Sequence, residues 1–204
     1  GVANEGRVKP RVLVSAPYAK PVIERFRSEL EAAGCEVTVA RVQERLEEHE
    51  LIALLPEVDG LICGDDRLTA KALDAAPRLK VISKWGTGID SIDLAACRRR
   101  GVQVRNTPNA FSEPVADTVL AWMLWFARKP AEQDRDIRAG RWAKPALFTL
   151  GEKTLGIVGV GAIGRAVARR AQAFGMTLLG ADPIPPPPEF IRETGMTMVP
   201  LGEL

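Results

Sequence analysis

The chain has 204 residues, 46% of them hydrophobic and 26% charged, which suits one large or two small globular domains. Its 28 basic and 26 acidic residues leave a net charge of +2, which argues against nucleic acid or an anionic membrane surface as a partner. Three widely spaced cysteines, Cys35, Cys63 and Cys97, make neither a disulfide framework nor a metal cluster and point to a reducing, cytoplasmic setting; the polar start "GVANEGRVKP" has no secretory pattern.

In chain order, strands alternate with helices. "RVLVSA" (11–16) is a short apolar run between prolines and predicts a buried strand. Residues 21–34 place Val22, Ile23, Phe26, Leu30 and Ala33 on one helical face and end at Gly34. Strands are expected at 36–40, 59–64, 79–85 and 102–106, with helices at 43–56, near 69–75 and at 91–100. Arg98, Arg99 and Arg100 precede Gly101, where cations complement a helix C-terminus. This rhythm predicts a parallel sheet covered by helices.

A second region follows the connector "NTPNAF". Ser112 is expected to cap a helix running to about Arg128. Its apolar run, 119–127, is shorter than the roughly 20 residues a membrane span needs and predicts a helix buried on most faces. The stretch 130–142 carries charges at helical spacing and suits a surface or a partner subunit. A second βαβ unit is expected as strand 154–158, helix 162–174 and strand 177–181. "PIPPPP" (183–188) predicts a stiff, exposed polyproline link, and "MTMVPL" (196–201) a third short strand.

The glycines of "GVGAIGRA" follow the first of these strands. In that context Gly159 permits a tight strand-to-helix turn, Gly161 keeps side-chain atoms away from a pyrophosphate, and Gly164 lets helix and strand pack closely. The helix N-terminus would offer free N–H groups to phosphates. Asp182, at the end of the next strand, could accept hydrogen bonds from a ribose and would repel a 2′-phosphate, which favours NAD over NADP. "WGTGID" places two glycines around Thr87 just after a strand, at the sheet edge where α/β proteins bind ligands.

"SKWGTGIDSIDLAACRRRGVQVRNTPNAFSEPVADTVL" (83–120) and "KTLGIVGVGAIGRAVARRAQAFGMTLLGADP" (153–183) together resemble the D-isomer-specific 2-hydroxyacid dehydrogenases, in particular their phosphoglycerate dehydrogenase branch. The resemblance implies two Rossmann-like lobes with parallel sheets: residues 1–107 as a flavodoxin-like substrate-binding lobe, and 108–204 as the first half of an NAD-binding domain. It implies NAD-dependent oxidation at the CH–OH of a small D-2-hydroxy acid, with 3-phosphoglycerate as the leading substrate, and a homodimer formed through 112–150. It implies that Gly86, Thr87 and Gly88 receive the substrate carboxylate, Thr87 also touching the cofactor. Gly159, Gly161, Ala162, Ile163 and Gly164 would lie against the pyrophosphate and Asp182 against the ribose. Asp117 stands where the family has Glu, Ala162 replaces a frequent Arg, and Ala181 a frequent aromatic.

Family members run longer, and their catalytic arginine, glutamate and histidine match nothing here. The single histidine, His49, lies in "EEHEL", a charged helical face. The expectation is a chain with no catalytic and no metal-binding residue, inactive alone and prone to self-association through an unpaired strand edge. Two alternatives stay open: a non-catalytic module that binds NAD or a partner, and another NAD enzyme with a similar lobe.

Overall fold

The computed structural model describes residues 9–204; the polar start at 1–8 lies outside the described residues. The chain divides into two compact units, the first ending at Pro108 and the second running Asn109–Leu204.

The first unit contains β1 (Arg11–Val14), α1 (Glu24–Ala32), β2 (Glu36–Val39), α2 (Glu48–Leu54), β3 (Gly60–Cys63), α3 (Ala70–Asp74), β4 (Val81–Lys84), α4 (Leu94–Arg100) and β5 (Gln103–Arg105). The five strands form one parallel sheet in the order β2-β1-β3-β4-β5. Successive side chains of a strand point to opposite faces. Leu13, Leu61 and Ile82 therefore meet Leu51, Leu55, Leu73 and Ala96 from α2, α3 and α4 in the main core, while Val14 packs with Ala16, Ala19 and Ile23 on the other side. Chain order reverses at β1, with β2 on one side and β3 on the other, so the carboxyl edge of this sheet opens at a topological switch point.

Helix ends are set by local chemistry. α2 starts five residues later than the apolar pattern suggests, because Glu47 and Glu50 form a reciprocal capping box. α4 is capped by Asp93, which accepts from the Ala96 N–H at 2.8 Å. It ends at Gly101 in the left-handed region (φ 70°) with its three arginines in the last turn, as expected.

The second unit contains α5 (Ser112–Arg128), α6 (Pro130–Arg138), β6 (Thr154–Val158), α7 (Ala162–Ala173), β7 (Thr177–Ala181), α8 (Pro188–Thr194) and β8 (Thr197–Met198). Its parallel sheet has the order β6-β7-β8. Ile157 and Leu178 pack against Ala166, Val167 and Ala171 of α7, with Ala116 and Leu120 of α5 and Phe190 of α8 in the same core. Arg170 ties α7 to α5 through Glu113 (2.6 Å) and Asp117 (2.7 Å).

Four sequence expectations change here. Ser112 is the first residue of α5 rather than its cap; Phe111 precedes it, no side chain caps the helix, and the Ser112 N–H bonds Asn109 O. The 119–127 run is not buried on most faces: within α5 only Ser112, Ala116, Leu120 and Ala127 are buried, while Trp122, Trp125 and Phe126 are exposed. The proline run is not simply an exposed link. Pro186 is buried and Pro188 opens α8 at its first position, where the missing N–H costs nothing because no intrahelical acceptor exists there. The last strand shrinks to Thr197–Met198, since Pro200 cannot donate to the ladder and a 3₁₀ turn follows.

Candidate functional site

In the second unit the expected residues converge at the carboxyl end of β6. The β6·β7 ladder runs from Thr154–Thr177 to Val158–Ala181, and the Gly159 N–H extends it by bonding Ala181 O at 2.8 Å. Gly159 then turns the chain with φ 88°, a conformation L side chains rarely adopt. A Cβ on Gly164 would sit 2.1 Å from Gly159 O and 3.3 Å from Ile157 Cγ2, so close helix–strand packing excludes any side chain there.

Gly161 behaves differently. Its φ is −73°, open to any residue, and a Cβ there would meet nothing within 4 Å. Among the described residues, neither backbone conformation nor packing demands a glycine. The space beside it leads onto the first turn of α7, which begins at Ala162 with no side-chain cap. The first main-chain bond of the helix is from Arg165 N–H to Gly161 O at 2.9 Å, so the amides of Ala162, Ile163 and Gly164 are the orphan donors of a helix N-terminus. Ile163 is exposed and Ala162 half-buried at this mouth. The dipole of α7 favours negative charge there.

Asp182 lies one residue beyond β7 and is half-buried. Its Oδ2 accepts from the Val160 N–H at 2.7 Å and its Oδ1 from the Ile184 N–H at 2.8 Å. A carboxylate has about four lone-pair sites, so acceptor capacity remains.

In the first unit, Gly86, Thr87 and Gly88 follow β4 at its carboxyl end. β5 lies parallel beside β4, and the segments leaving the two strands bond each other. The Asn106 Nδ2–H donates to Thr87 O (2.7 Å), the Thr107 N–H to Gly86 O (3.0 Å), and the Thr87 hydroxyl to Thr107 O (3.0 Å). The Gly86 amide turns back to Lys84 O at 3.0 Å. Among the described residues no acceptor meets the amides of Thr87 and Gly88, so two of the three expected donors are free.

Beneath this loop lies a polar cluster that the sequence patterns do not flag. Lys84 is only 3% exposed, and its Nζ donates to Gly64 O (2.6 Å) and pairs with the Asp65 carboxylate. Asp66 is fully buried. It accepts from Ser15 Oγ–H (2.5 Å) and Leu46 N–H (2.6 Å). Burial raises its carboxyl above the usual range, and these hydrogen bonds oppose the shift. Burial, with Asp66 nearby, pushes the Cys63 thiol up to about 12, which makes it inert at neutral pH. The only sequence signal for this cluster is that acid and lysine both stand just where apolar strands end.

His49 is exposed on α2. Among the described residues no group of His, Cys, Asp or Glu is arranged to hold a metal, and no helix is long and apolar enough to cross a membrane.

These features define a class: an α/β chain of two units, each with a parallel sheet, the second carrying a glycine turn from β6 onto the uncapped helix α7. The chain belongs to the D-isomer specific 2-hydroxyacid dehydrogenase family, whose catalytic-domain model matches residues 12–197. It is 39% identical over 165 residues to a D-3-phosphoglycerate dehydrogenase of Rattus norvegicus, covering 79% of this chain and 31% of that protein. It is 34% identical over 208 residues to a glyoxylate reductase of Thermococcus onnurineus, covering 97% of this chain and 60% of that one. The D-lactate dehydrogenase of Aquifex aeolicus, solved with NAD and lactic acid, superposes with a TM-score of 0.78 at 25% identity, covering 94% of this chain and 56% of that one. The chain thus spans between 31% and 60% of the length of these relatives.

Proposed function

We propose that this chain holds the adenosine-diphosphate part of NAD in its second unit and the carboxylate of a small 2-hydroxy or 2-keto acid in its first, in service of 2-hydroxyacid oxidoreduction. The observation that carries the proposal is Gly161, a position where the fold tolerates a side chain and a ligand would not. Amides of Ala162, Ile163 and Gly164 would face the diphosphate, Gly161 would let it approach the backbone, and Asp182 would accept from the ribose hydroxyls. Asp182 sets the preference for NAD, because its charge repels a 2′-phosphate and Pro183 and Ile184 beside it offer no cation. When bound, the dinucleotide supplies the two-electron chemistry. The chain's own part is to orient it and to receive a substrate carboxylate at the Thr87 and Gly88 amides. No residue here is assigned to proton transfer, which needs a group within hydrogen-bond reach of the reacting oxygen.

The second unit also presents an exposed apolar face. Trp122, Trp125 and Phe126 of α5 are 58%, 47% and 72% exposed, and Ile137 and Trp142 beyond them are exposed too. A face of this kind supports a homodimer formed through 112–150.

Titration calorimetry tests the cofactor site. NAD should bind and NADP should bind at least tenfold more weakly. Gly161→Val should abolish binding while leaving the thermal midpoint unchanged. Unaltered NAD affinity in Gly161→Val would overturn the proposal. Binding of glyoxylate, hydroxypyruvate and 3-phosphohydroxypyruvate, followed as NMR shifts of the Thr87 and Gly88 amides, then addresses the substrate.

A further inference from the structure

We propose that Asp182 is a positioning residue as well as a ribose acceptor: its carboxylate builds the diphosphate cradle by fixing Val160, before any ligand arrives. This extends the dinucleotide proposal and rests on it.

Asp182 Oδ2 accepts from the Val160 N–H at 2.7 Å. That bond continues the β6·β7 ladder one rung past its last main-chain bond, Gly159 N–H to Ala181 O. A side chain thereby does what the backbone of β7 no longer can, because β7 has ended at Ala181. Oδ1 accepts from Ile184 N–H at 2.8 Å, so the carboxylate is itself held at a second point.

Val160 is the residue through which this restraint reaches the cradle. Its side chain is 1% exposed and lies over Gly180, where an added Cβ would come within 2.9 Å of Val160 Cγ2. Its carbonyl accepts from Arg165 Nη1 at 3.2 Å. Side chain, N–H and carbonyl are all engaged, and the next residue is Gly161, the open position at the helix mouth. Gly159, with φ 88°, gives the turn freedom that a restraint must remove. The Asp182 bond adds a side-chain restraint from beyond β7 to the Gly159 N–H bond with Ala181 O and the packing of Val160 over Gly180.

The proposal separates two effects of charge and geometry. As a bare charge, Asp182 would weaken the approach of any phosphate anion. As a support, it should strengthen binding even of a phosphate ligand that carries no ribose. Inorganic pyrophosphate distinguishes them. Asp182→Asn removes the charge and keeps one acceptor oxygen, which can serve Val160 while the bond from Ile184 is lost; Asp182→Ala removes the charge and both acceptors. Binding of pyrophosphate, ADP-ribose and NAD to the full chain is measured by NMR titration, and amide hydrogen exchange at Val160 and Gly161 is measured without ligand.

Support predicts that Asp182→Ala weakens pyrophosphate by about tenfold, as expected when one charge-assisted hydrogen bond is lost, and speeds exchange at Val160 by a similar factor. Asp182→Asn should leave both near wild type while still weakening ADP-ribose and NAD. If Asp182→Ala binds pyrophosphate as well as or better than wild type, or leaves Val160 exchange unchanged, the positioning role is overturned and ribose contact alone remains. If wild type protects Val160 in an Asp182-dependent way yet binds neither ADP-ribose nor NAD, the support stands and the dinucleotide proposal falls.

Discussion

Placing one methyl group at Gly164 tests whether the strand and helix of the second unit are packed as tightly as the geometry indicates. The added Cβ would lie 2.1 Å from Gly159 O, where ordinary contact begins at 3.4 Å. Strand and helix would have to separate by about 1.3 Å, and the obstructing atom is backbone that cannot rotate aside. Overpacking of a core costs about 1–3 kcal/mol, and a backbone clash belongs at the upper end. For a domain of roughly 100 residues, each kcal/mol shifts the midpoint by about 4–8 °C. Gly164→Ala should therefore lower the melting midpoint of the second unit by about 10–20 °C. Gly161→Ala is the control. Its Cβ meets nothing within 4 Å and its φ of −73° suits alanine, so the midpoint should move by no more than about 3 °C. Tryptophan fluorescence reads the transition well, since Trp122, Trp125 and Trp142 all lie in the second unit. Equal midpoints for the two alanine variants would refute the packing argument.

Three further outcomes follow from individual side chains. Cys35, half-buried, should react with a thiol reagent in the folded chain, whereas Cys63 and Cys97 should resist until it unfolds; fast labelling of all three at neutral pH would contradict the burial that raises both thiols. Asp66 has a raised carboxyl pKa in the folded state, so the fold holds its proton more tightly than the unfolded chain does. Its contribution to stability is therefore greatest at low pH and declines as pH rises from the ordinary carboxylate range through the raised value. Urea midpoints of wild type and Asp66→Asn between pH 4 and 8 should converge or cross in favour of the asparagine as pH rises, and a trend of opposite sign would sink the argument. Trp122→Glu places a charge on the exposed face of α5 and should shift sedimentation toward monomer without altering the melting of the second unit by more than about 2 °C.

Much of the architecture was legible because the relevant forces are local. β6 and β7 match their expected spans residue for residue, and Gly101 and Gly34 end helices in the left-handed conformation that only glycine adopts cheaply. The errors have a common origin. An apolar run states that a helix avoids water without stating what covers it. The exposed tryptophans of α5 therefore read as core, although among the described residues it is Ala116, Leu120 and Ala127, with Val119, Met123 and Leu124 beside them, that meet the core of the second unit. α8 was invisible because its prolines look like a stop signal. Whether Pro188 starts a helix depends on Phe190 finding a buried place beneath Arg169, whose guanidinium lies 5.3 Å from the ring centroid. The Lys84–Asp65 pair and buried Asp66 depend on which strands become neighbours, and sheet order is not written in any single strand.

The glycines of the second unit show how folding demands and ligand demands can be told apart within one motif. Gly159 is explained by its positive φ and Gly164 by a 2.1 Å approach of backbone; each would be glycine in a protein that bound nothing. Gly161 has neither reason. A residue kept minimal where space is open points to something that enters the space, and the uncapped N–H groups of α7 define its sign as negative. Asp182 then limits what that anion can be. An isolated carboxylate beside the cradle opposes simple phosphate binding, unless it contributes elsewhere, either by fixing Val160 or by meeting a neutral polar group further along the same ligand. A diphosphate joined to a sugar satisfies both conditions, and a free anion satisfies only the first. For that reason the discriminating comparison is between pyrophosphate and ADP-ribose on the same three Asp182 forms, rather than between the presence and absence of NAD.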